Sequence, residues 1–402
     1  MKYLYHHRTQ GLNVEGVHIR SICNALVAEG HQVQLVSVNN IDDDFSAQVK
    51  KKGENSNTKF SALKSLVKTI PEPVFEILEI FYNVYAFFRL WYVIHNFKPD
   101  RIYERYSLYL FSSIILAKLY SIPLVYEIND SAQLERLRAL YFKSFAAFIE
   151  QRVFSYANGL VFISKELEKI ILTAYPTVKS LSIVTSNAAD KKIFHSDAEK
   201  KEQSKDKLGL TNQVVCGYIG CFASWHKIDK FIEDIAQRLK LNPRLTLLLI
   251  GEGETLSNIR DIKKKHQLGE QVVITGNIPH EEMINYIRTM DFSVLPSANE
   301  YCSPVKMFEL MGAGVPLIAI HTPPIAEIIE DNKDGWLFPR NDLSACINKV
   351  LEIQGDSNRI QSAARLAEDK IHNQHQWSNN VLDLDKLYLS SLRQSNQQNN
   401  LG

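Results

Sequence analysis

The chain has 402 residues, long for a single domain and comfortable for two. Its residues are 45% hydrophobic and 23% charged with a net charge of +1, which excludes global disorder and leaves no field to attract nucleic acid. The cysteines (Cys23, Cys216, Cys221, Cys302, Cys346) are odd in number and form no Cys-x-x-Cys, which argues against a disulfide framework or structural zinc and for a reducing, cytoplasmic setting.

The first residues, Met1–Arg8, turn polar too soon for a signal peptide. They predict a strand over 2–6, followed by a helix over 17–29 that ends at Gly30, and a strand over 32–38. Residues 41–70 are polar and Lys-rich and read as a loop with a short helix. A long helix over 73–97 follows. Then come strand 101–104, helix 109–120, strand 123–128, helix 134–157, strand 159–163, helix 165–173 and strand 182–185. Residues 190–211 lose periodicity and mark a domain boundary. A second series has strands at 214–219, 245–250, 271–274, 292–295 and 317–320 with helices between. Strand alternating with helix signals α/β domains with parallel sheets. The expected division is 1–190, 191–370 and a C-terminal helix with polar tail over 371–402, disordered from 393.

Helix 73–97 is dense in aromatics but carries Glu76, Glu79, Asn83, Arg89 and His95, which argues against a membrane span. Lysines 50, 51, 52, 59, 64 and 68 precede it. Apolar-aromatic surface beside basic residues suits an interfacial helix. Packing against the first sheet beside a solvated lysine loop is an equal reading.

Polar motifs follow the strands, where doubly wound sheets bind ligands. Residues 300–316 are the most informative. Helix 305–311 starts beside Ser303, Pro304 and Lys306, and its free N–H groups and dipole suit an anion. Glu309, about one turn on, suits paired hydroxyls such as those of a ribose. The plainer reading is an amphipathic helix punctuated by Pro and Gly. Gly11-Leu-Asn-Val-Glu-Gly16-Val-His18 opens the first helix without a G-x-G-x-x-G spacing, so a nicotinamide or flavin site is poorly supported. Glu127 and Asn129 end a buried strand, where an acid can act as base or grip hydroxyls, or Asn129 can cap a helix. Arg105 ends another strand and suits an anionic or polyhydroxy ligand, or a surface ion pair. Gly217-Tyr-Ile-Gly220 leads to His226 and Lys227, while Gly251-Glu-Gly253-Glu254 and Thr275-Gly276-Asn277-Ile278 are weak alone, because glycine after a strand is commonly a turn. Asp42, Asp43 and Asp44 read as a solvated charge run rather than a metal site.

The Ser-Pro-x-Lys-x-Phe-Glu-x-Met-x-x-Gly-x-Pro pattern of residues 303–316 resembles the donor-binding segment of retaining family 4 glycosyltransferases, over roughly residues 1–350. The resemblance implies a GT-B fold: α/β, two Rossmann-like domains facing a central cleft. It implies transfer of a sugar from a nucleoside diphosphate sugar to a saccharide or lipid-linked acceptor, at the inner membrane face, in polysaccharide or glycolipid synthesis. Donor contacts carry over to Gly16, Gly220, His226, Lys227, Ile278, Glu300, Ser303, Pro304, Lys306, Met307, Phe308 and Glu309. Acceptor contacts carry over to His18, Arg105, Glu127 and Asn129, with Glu127, Lys306 and Glu309 as catalytic candidates. No cofactor or metal is implied, and no nucleic acid.

The chain departs from the family at three places. Cys221 and His226 stand where many members carry Arg and Lys, leaving Lys306 and Lys227 as nearby cations. The Glu-x7-Glu spacing is broken, with Glu300 one position too early. Ser186–Asp190 varies the Pro-Asn-Gly-x-Asp hinge motif. A GT-B-like nucleotide-sugar epimerase and a non-catalytic scaffold of a polysaccharide assembly complex are the alternatives.

Overall fold

A computed structural model describes residues 1–9, 14–38, 41–42, 70–135, 139–279 and 282–399. Gly11, the lysine-rich stretch 50–68, Asp43 and Asp44 lie outside the described residues. The chain divides into two compact units, Met1–Ser186 with Trp377–Gly402, and Asn187–Gln376. The first boundary falls inside the Ser186–Asp190 motif.

The first unit is built on a seven-stranded sheet. Its strands are β1 (Lys2–His6), β2 (Gln32–Val36), β3 (Ile41–Asp42), β4 (Arg101–Arg105), β5 (Leu124–Ile128), β6 (Gly159–Phe162) and β7 (Leu181–Val184). Their order is β3-β2-β1-β4-β5-β6-β7, parallel except for β3 on β2. Helices α1 (Val14–Ala28), α2 (Glu72–Phe97), α3 (Ser112–Tyr120), α4 (Lys143–Tyr156) and α5 (Lys165–Ala174) connect them. Strand β5 is buried along its whole length, as expected of a parallel strand covered on both faces.

The second unit carries six parallel strands, β8 (Val214–Ile219), β9 (Leu245–Ile250), β10 (Val272–Gly276), β11 (Phe292–Leu295), β12 (Leu317–Ile320) and β13 (Trp336–Phe338). Their order, β10-β9-β8-β11-β12-β13, is the doubly wound pattern that reverses direction between β8 and β11. Its helices are α6 (Ala198–Lys207), α7 (Ile228–Lys240), α8 (Leu256–Lys265), α9 (Met283–Ile287), α10 (Val305–Gly312), α11 (Pro323–Ala326), α12 (Leu343–Ile353) and α13 (Ser357–Gln374).

Three expectations need correction. The helix expected over 134–157 begins only at Lys143, and Ser131–Leu134 form a turn held by the buried Glu150 carboxylate, which accepts from Ser131 Oγ and Ala132 N. The helix expected over 109–120 begins at Ser112, after Tyr109 adopts a φ of 62°. The C-terminal segment is ordered well past residue 393: helix α14 spans Trp377–Asn399 and belongs to the first unit. Val381, Leu384, Leu387 and Tyr388 form its buried stripe. A Cβ at Gly159 would lie 2.8 Å from Leu387, so the glycine opens the groove this helix fills.

Asp385 of α14 ties the helix to the sheet. It accepts from Arg101 Nη1 and, at 2.6 Å, from the Tyr3 hydroxyl. Asp383, on the same helix, pairs among the described residues only with Lys386 at the surface. Asp385→Ala is therefore expected to lower stability by about 2–3 kcal/mol, because the buried Arg101 loses its counter-charge. Asp383→Ala should stay within about 0.5 kcal/mol. Urea midpoints at unchanged slope measure both.

Candidate active site

In the second unit the strand order reverses between β8 and β11, and the loops leaving those strands meet there. The loop after β8 opens at Gly220, whose φ of 138° suits only glycine. A Cβ at Gly251 would come 2.0 Å from the Gly220 carbonyl oxygen, and one at Gly253 would come 2.6 Å from Phe222 N. The two glycine loops thus lie backbone on backbone. They are joined by hydrogen bonds from Phe222 N to Glu252 O and from Thr255 N and Oγ1 to Phe222 O. Gly251-Glu-Gly253-Glu254, weak as a motif, is the buttress of the Gly220 loop. Its signal was two glycines at strand exits, where the close approach of two backbones requires them.

Lys306 reaches this loop from α10. A methyl group on Gly220 would lie 2.8 Å from Lys306 Nζ, and the ammonium sits 4.6 Å from the centre of the Tyr218 ring. Burial lowers the Lys306 pKa to about 8, with Cys302 and Cys221 opposing the shift. Among the described residues no carboxylate pairs with it. At the N-terminal end of α10, Ser303 is 3% exposed, and its Oγ is buried without a hydrogen-bond partner among the described residues. No side chain caps α10, and Asn187 Nδ2 donates to the Ser303 carbonyl. A part-buried cation, an orphaned hydroxyl and an uncapped helix start are together the elements of an anion site.

The other donor-side candidates fall into distinct settings. His226 Nδ1 lies 3.5 Å from the Ser297 carbonyl, and its ring packs against Tyr218. Burial, with the Lys306 charge adding to it, lowers the His226 pKa to about 4, so the imidazole is neutral at pH 7. Lys227 adopts a φ of 54° and reaches outward to Asn341. Pro304 is the N-cap of α10, Met307 and Phe308 are core residues, and Glu309 is buried on the same helix. Ile278 is half-buried beyond β10. Glu300 stands apart: it is exposed on a turn and ion-paired with Arg340.

The first unit gathers its candidates where its own strand order reverses, between β1 and β4. Glu127, at the end of β5, is 1% exposed. Its Oε2 accepts from the Tyr5 hydroxyl at 3.1 Å and pairs with His18 Nε2 at 3.0 Å, and its Oε1 accepts from Arg105 and Asn129. Burial pushes its pKa up, but His18 and Arg105 outweigh that and hold the carboxyl well below the usual range. An ionised carboxylate with this many donors anchors His18, Arg105 and Asn129 at the end of β5. Gly16 is buried in the first turn of α1, two residues before His18.

The sequence reading missed the partners beside this anchor. His6 Nδ1 lies 2.6 Å from Glu104 Oε2, which also accepts from Ser113 Oγ. Glu104 Oε1 is buried without a hydrogen-bond partner among the described residues. His7 is buried, and burial lowers its pKa to about 4, with His6 and Arg105 contributing. The available signal was a pair of histidines ending the first strand.

The family described as Glycosyltransferase Family 4 matches residues 16–192, and that described as Glycosyl transferases group 1 matches residues 200–367. An exopolysaccharide phosphotransferase of Streptomyces coelicolor is 29% identical over 145 residues, 36% of this chain and 15% of the relative. The putative colanic acid biosynthesis glycosyltransferase WcaL of Escherichia coli is 26% identical over 153 residues, 37% of this chain and 36% of the relative. The chain thus spans about a third or less of the length of these curated relatives. Anabaena HepE, solved in complex with UDP, superposes with a TM-score of 0.69 at 16% identity, covering 96% of this chain and 100% of that one. That likeness shows the shared GT-B fold.

The buried histidines give an acid-side prediction. His7 and His226 titrate near 4 in the fold against about 6.5 when unfolded. The unfolded chain therefore binds their protons first, and stability falls as pH drops from about 6.5 towards 4. His226→Asn is expected to flatten that slope, read from urea unfolding across the same pH range.

Proposed function

We propose that this chain, which belongs to the GT-B glycosyltransferases, moves a sugar from a nucleoside diphosphate sugar to an acceptor hydroxyl in cell-surface polysaccharide or glycolipid synthesis. The carrying observation is the Lys306 ammonium against the Gly220 loop, with no carboxylate among the described residues paired to it, beside the Ser303 hydroxyl at the start of α10, which has no hydrogen-bond partner among them. Negative charge grows on the departing diphosphate in the transition state. Preorganised donors at that point stabilise the transition state more than the bound substrate. Lys306 supplies the charge, and Ser303 Oγ and the first N–H groups of α10 donate hydrogen bonds, while neutral His226, its Nδ1–H directed at the Ser297 carbonyl, lines the site. This set replaces the Arg and Lys that many family members carry where this chain has Cys221 and His226. Glu309 accepts from the ribose hydroxyls.

In this reading the bond from the anomeric carbon to the diphosphate breaks, and a bond to the acceptor oxygen forms on the same face. The acceptor's proton passes to the leaving diphosphate, so the linkage retains its configuration. The Glu127 anchor presents His18, Arg105 and Asn129 to the acceptor. The five cysteines are free thiols, which suits a reducing, cytoplasmic setting. HepE binds UDP in its solved complex, which supports a nucleotide donor here without choosing the base.

Thermal unfolding against UDP-, GDP- and ADP-sugars and their free nucleotides tests the donor class, because a ligand of the folded state raises the midpoint. One nucleotide is expected to raise it, and Glu309→Ala to abolish the rise. No rise with any nucleotide at millimolar concentration would sink the reading. Lys306→Ala is expected to lower kcat by about 100- to 1000-fold. Because Lys306 titrates near 8, binding a diphosphate should take up protons at that pH. Calorimetry in buffers of differing ionisation heat reads this uptake, which Lys306→Ala should remove.

A further inference from the structure

Helix α2 buries Ala86, Leu90, Val93 and Ile94 as a surface helix usually does, but it is apolar on its outward face as well. Its outward face carries Leu78, Phe81, Val84, Tyr85, Phe88 and Tyr92, with Phe81 66% and Phe88 63% exposed. Two of its polar residues, Glu76 and Asn83, are buried against the protein. Glu76 is buried and accepts from the Tyr109 hydroxyl and from the backbone N–H groups of Tyr141 and Phe142. Asn83 accepts from Phe111 N and Ser112 N and donates to Tyr109 O at 2.7 Å. Glu79 is ion-paired with Arg8. Among the described residues α2 is long and apolar enough to cross a bilayer, by length and composition. Spanning would strip these buried groups of their partners, a loss that a buried polar group does not tolerate. The bonds instead fix the helix along the surface of the unit with its aromatic side outward.

The surface continues onto the neighbouring helices. The β4–α3–β5 and β5–α4–β6 crossovers are parallel connections of one hand, so α3 and α4 lie on one face of the sheet. Ile115 and Leu119 of α3 and Phe145 and Phe148 of α4 are also exposed. No exposed position on α2, α3 or α4 is Asp or Glu. The exposed charges on α3 and α4 are cations, namely Lys143, Lys118 at 3.3 Å from the centre of the Tyr156 ring and Arg152 over Phe148, and on α2 the part-buried Arg89 lies over Tyr85. Aromatic and aliphatic groups with only cations among them complement an anionic lipid interface, where rings sit at headgroup depth and cations meet phosphate. A second copy of the chain would bring the same cations against each other.

We propose that the outer faces of α2, α3 and α4 are a docking surface for an anionic bilayer, on which α2 lies flat without crossing. The inference does not depend on the transferase reading. Flotation of the full chain with vesicles of phosphatidylcholine alone, and of phosphatidylcholine mixed with phosphatidylglycerol, tests it. The wild type is expected to float with the mixed vesicles and less with the neutral ones. Phe81→Glu with Phe88→Glu should weaken binding roughly tenfold or more, with circular dichroism and Tm unchanged. Lys118→Glu with Arg152→Glu should lower only the preference for the anionic vesicles. Failure of the wild type to float with either vesicle would overturn the proposal, as would equal flotation of the double Glu variant. A wild-type dimer that does not float and that Phe88→Glu converts to monomer would assign the face to a second copy instead. Nucleotide-induced shifts in Tm on the same samples report the donor site separately.

Discussion

A parallel sheet covered by helices on both faces leaves polar chemistry room only at its strand ends. Both units obey this constraint. Strands β5 and β9 are buried at every position, so no functional group can point from their middles into water. The polar clusters gather instead beyond the carboxyl ends, where neighbouring loops diverge as the strand order reverses. Glycines at 220 and 251 let two such loops touch through their backbones, which holds the Gly220 loop against the Lys306 ammonium.

The two clusters treat charge in opposite ways. Lys306 is held without a counter-charge among the described residues, and burial strains its protonated form. A cation in that condition gains most from an incoming anion. Glu127 accepts from Tyr5, Arg105 and Asn129 and pairs with His18, and His18 and Arg105 hold it ionised. A fully engaged anion changes little when a ligand arrives, so it serves to orient the groups around it. One cluster is thus prepared to receive charge and the other to present donors.

Helix α2 departs from the economy that governs the rest of the molecule. Beside its buried Ala86, Leu90, Val93 and Ile94, Glu76 and Asn83 also turn inward, and each bonds backbone groups or a hydroxyl of neighbouring loops. The buried polar groups organise the approaches to α3 and α4, and a second set of apolar residues, Phe81 and Phe88 among them, lies outside. The same arrangement anchors the helix and creates the exposed aromatic face.

The order of elements was legible because period and punctuation are local. Continuous apolar runs marked β5, β9 and β12, and the Ser303–Pro316 pattern marked α10 with Lys306 and Glu309. Local signals failed where partners are distant in sequence. The start of α4 is set by hydrogen bonds between Glu150 and residues 131–132, and the order of α14 depends on a groove at Gly159 and an ion pair with Arg101. Polar composition after residue 393 suggested disorder, but Val381, Leu384 and Tyr388 upstream supply the buried stripe that carries the helix onward. The sequence by itself determined the α/β class, the strand-end location of the motifs and the residue types able to meet a diphosphate. Only the tertiary structure decided that Glu127 is held ionised, that Lys306 has no carboxylate partner among the described residues and that Glu300 is turned to Arg340. Those are properties of three-dimensional neighbours, since a side chain's charge state and freedom depend on what folds against it.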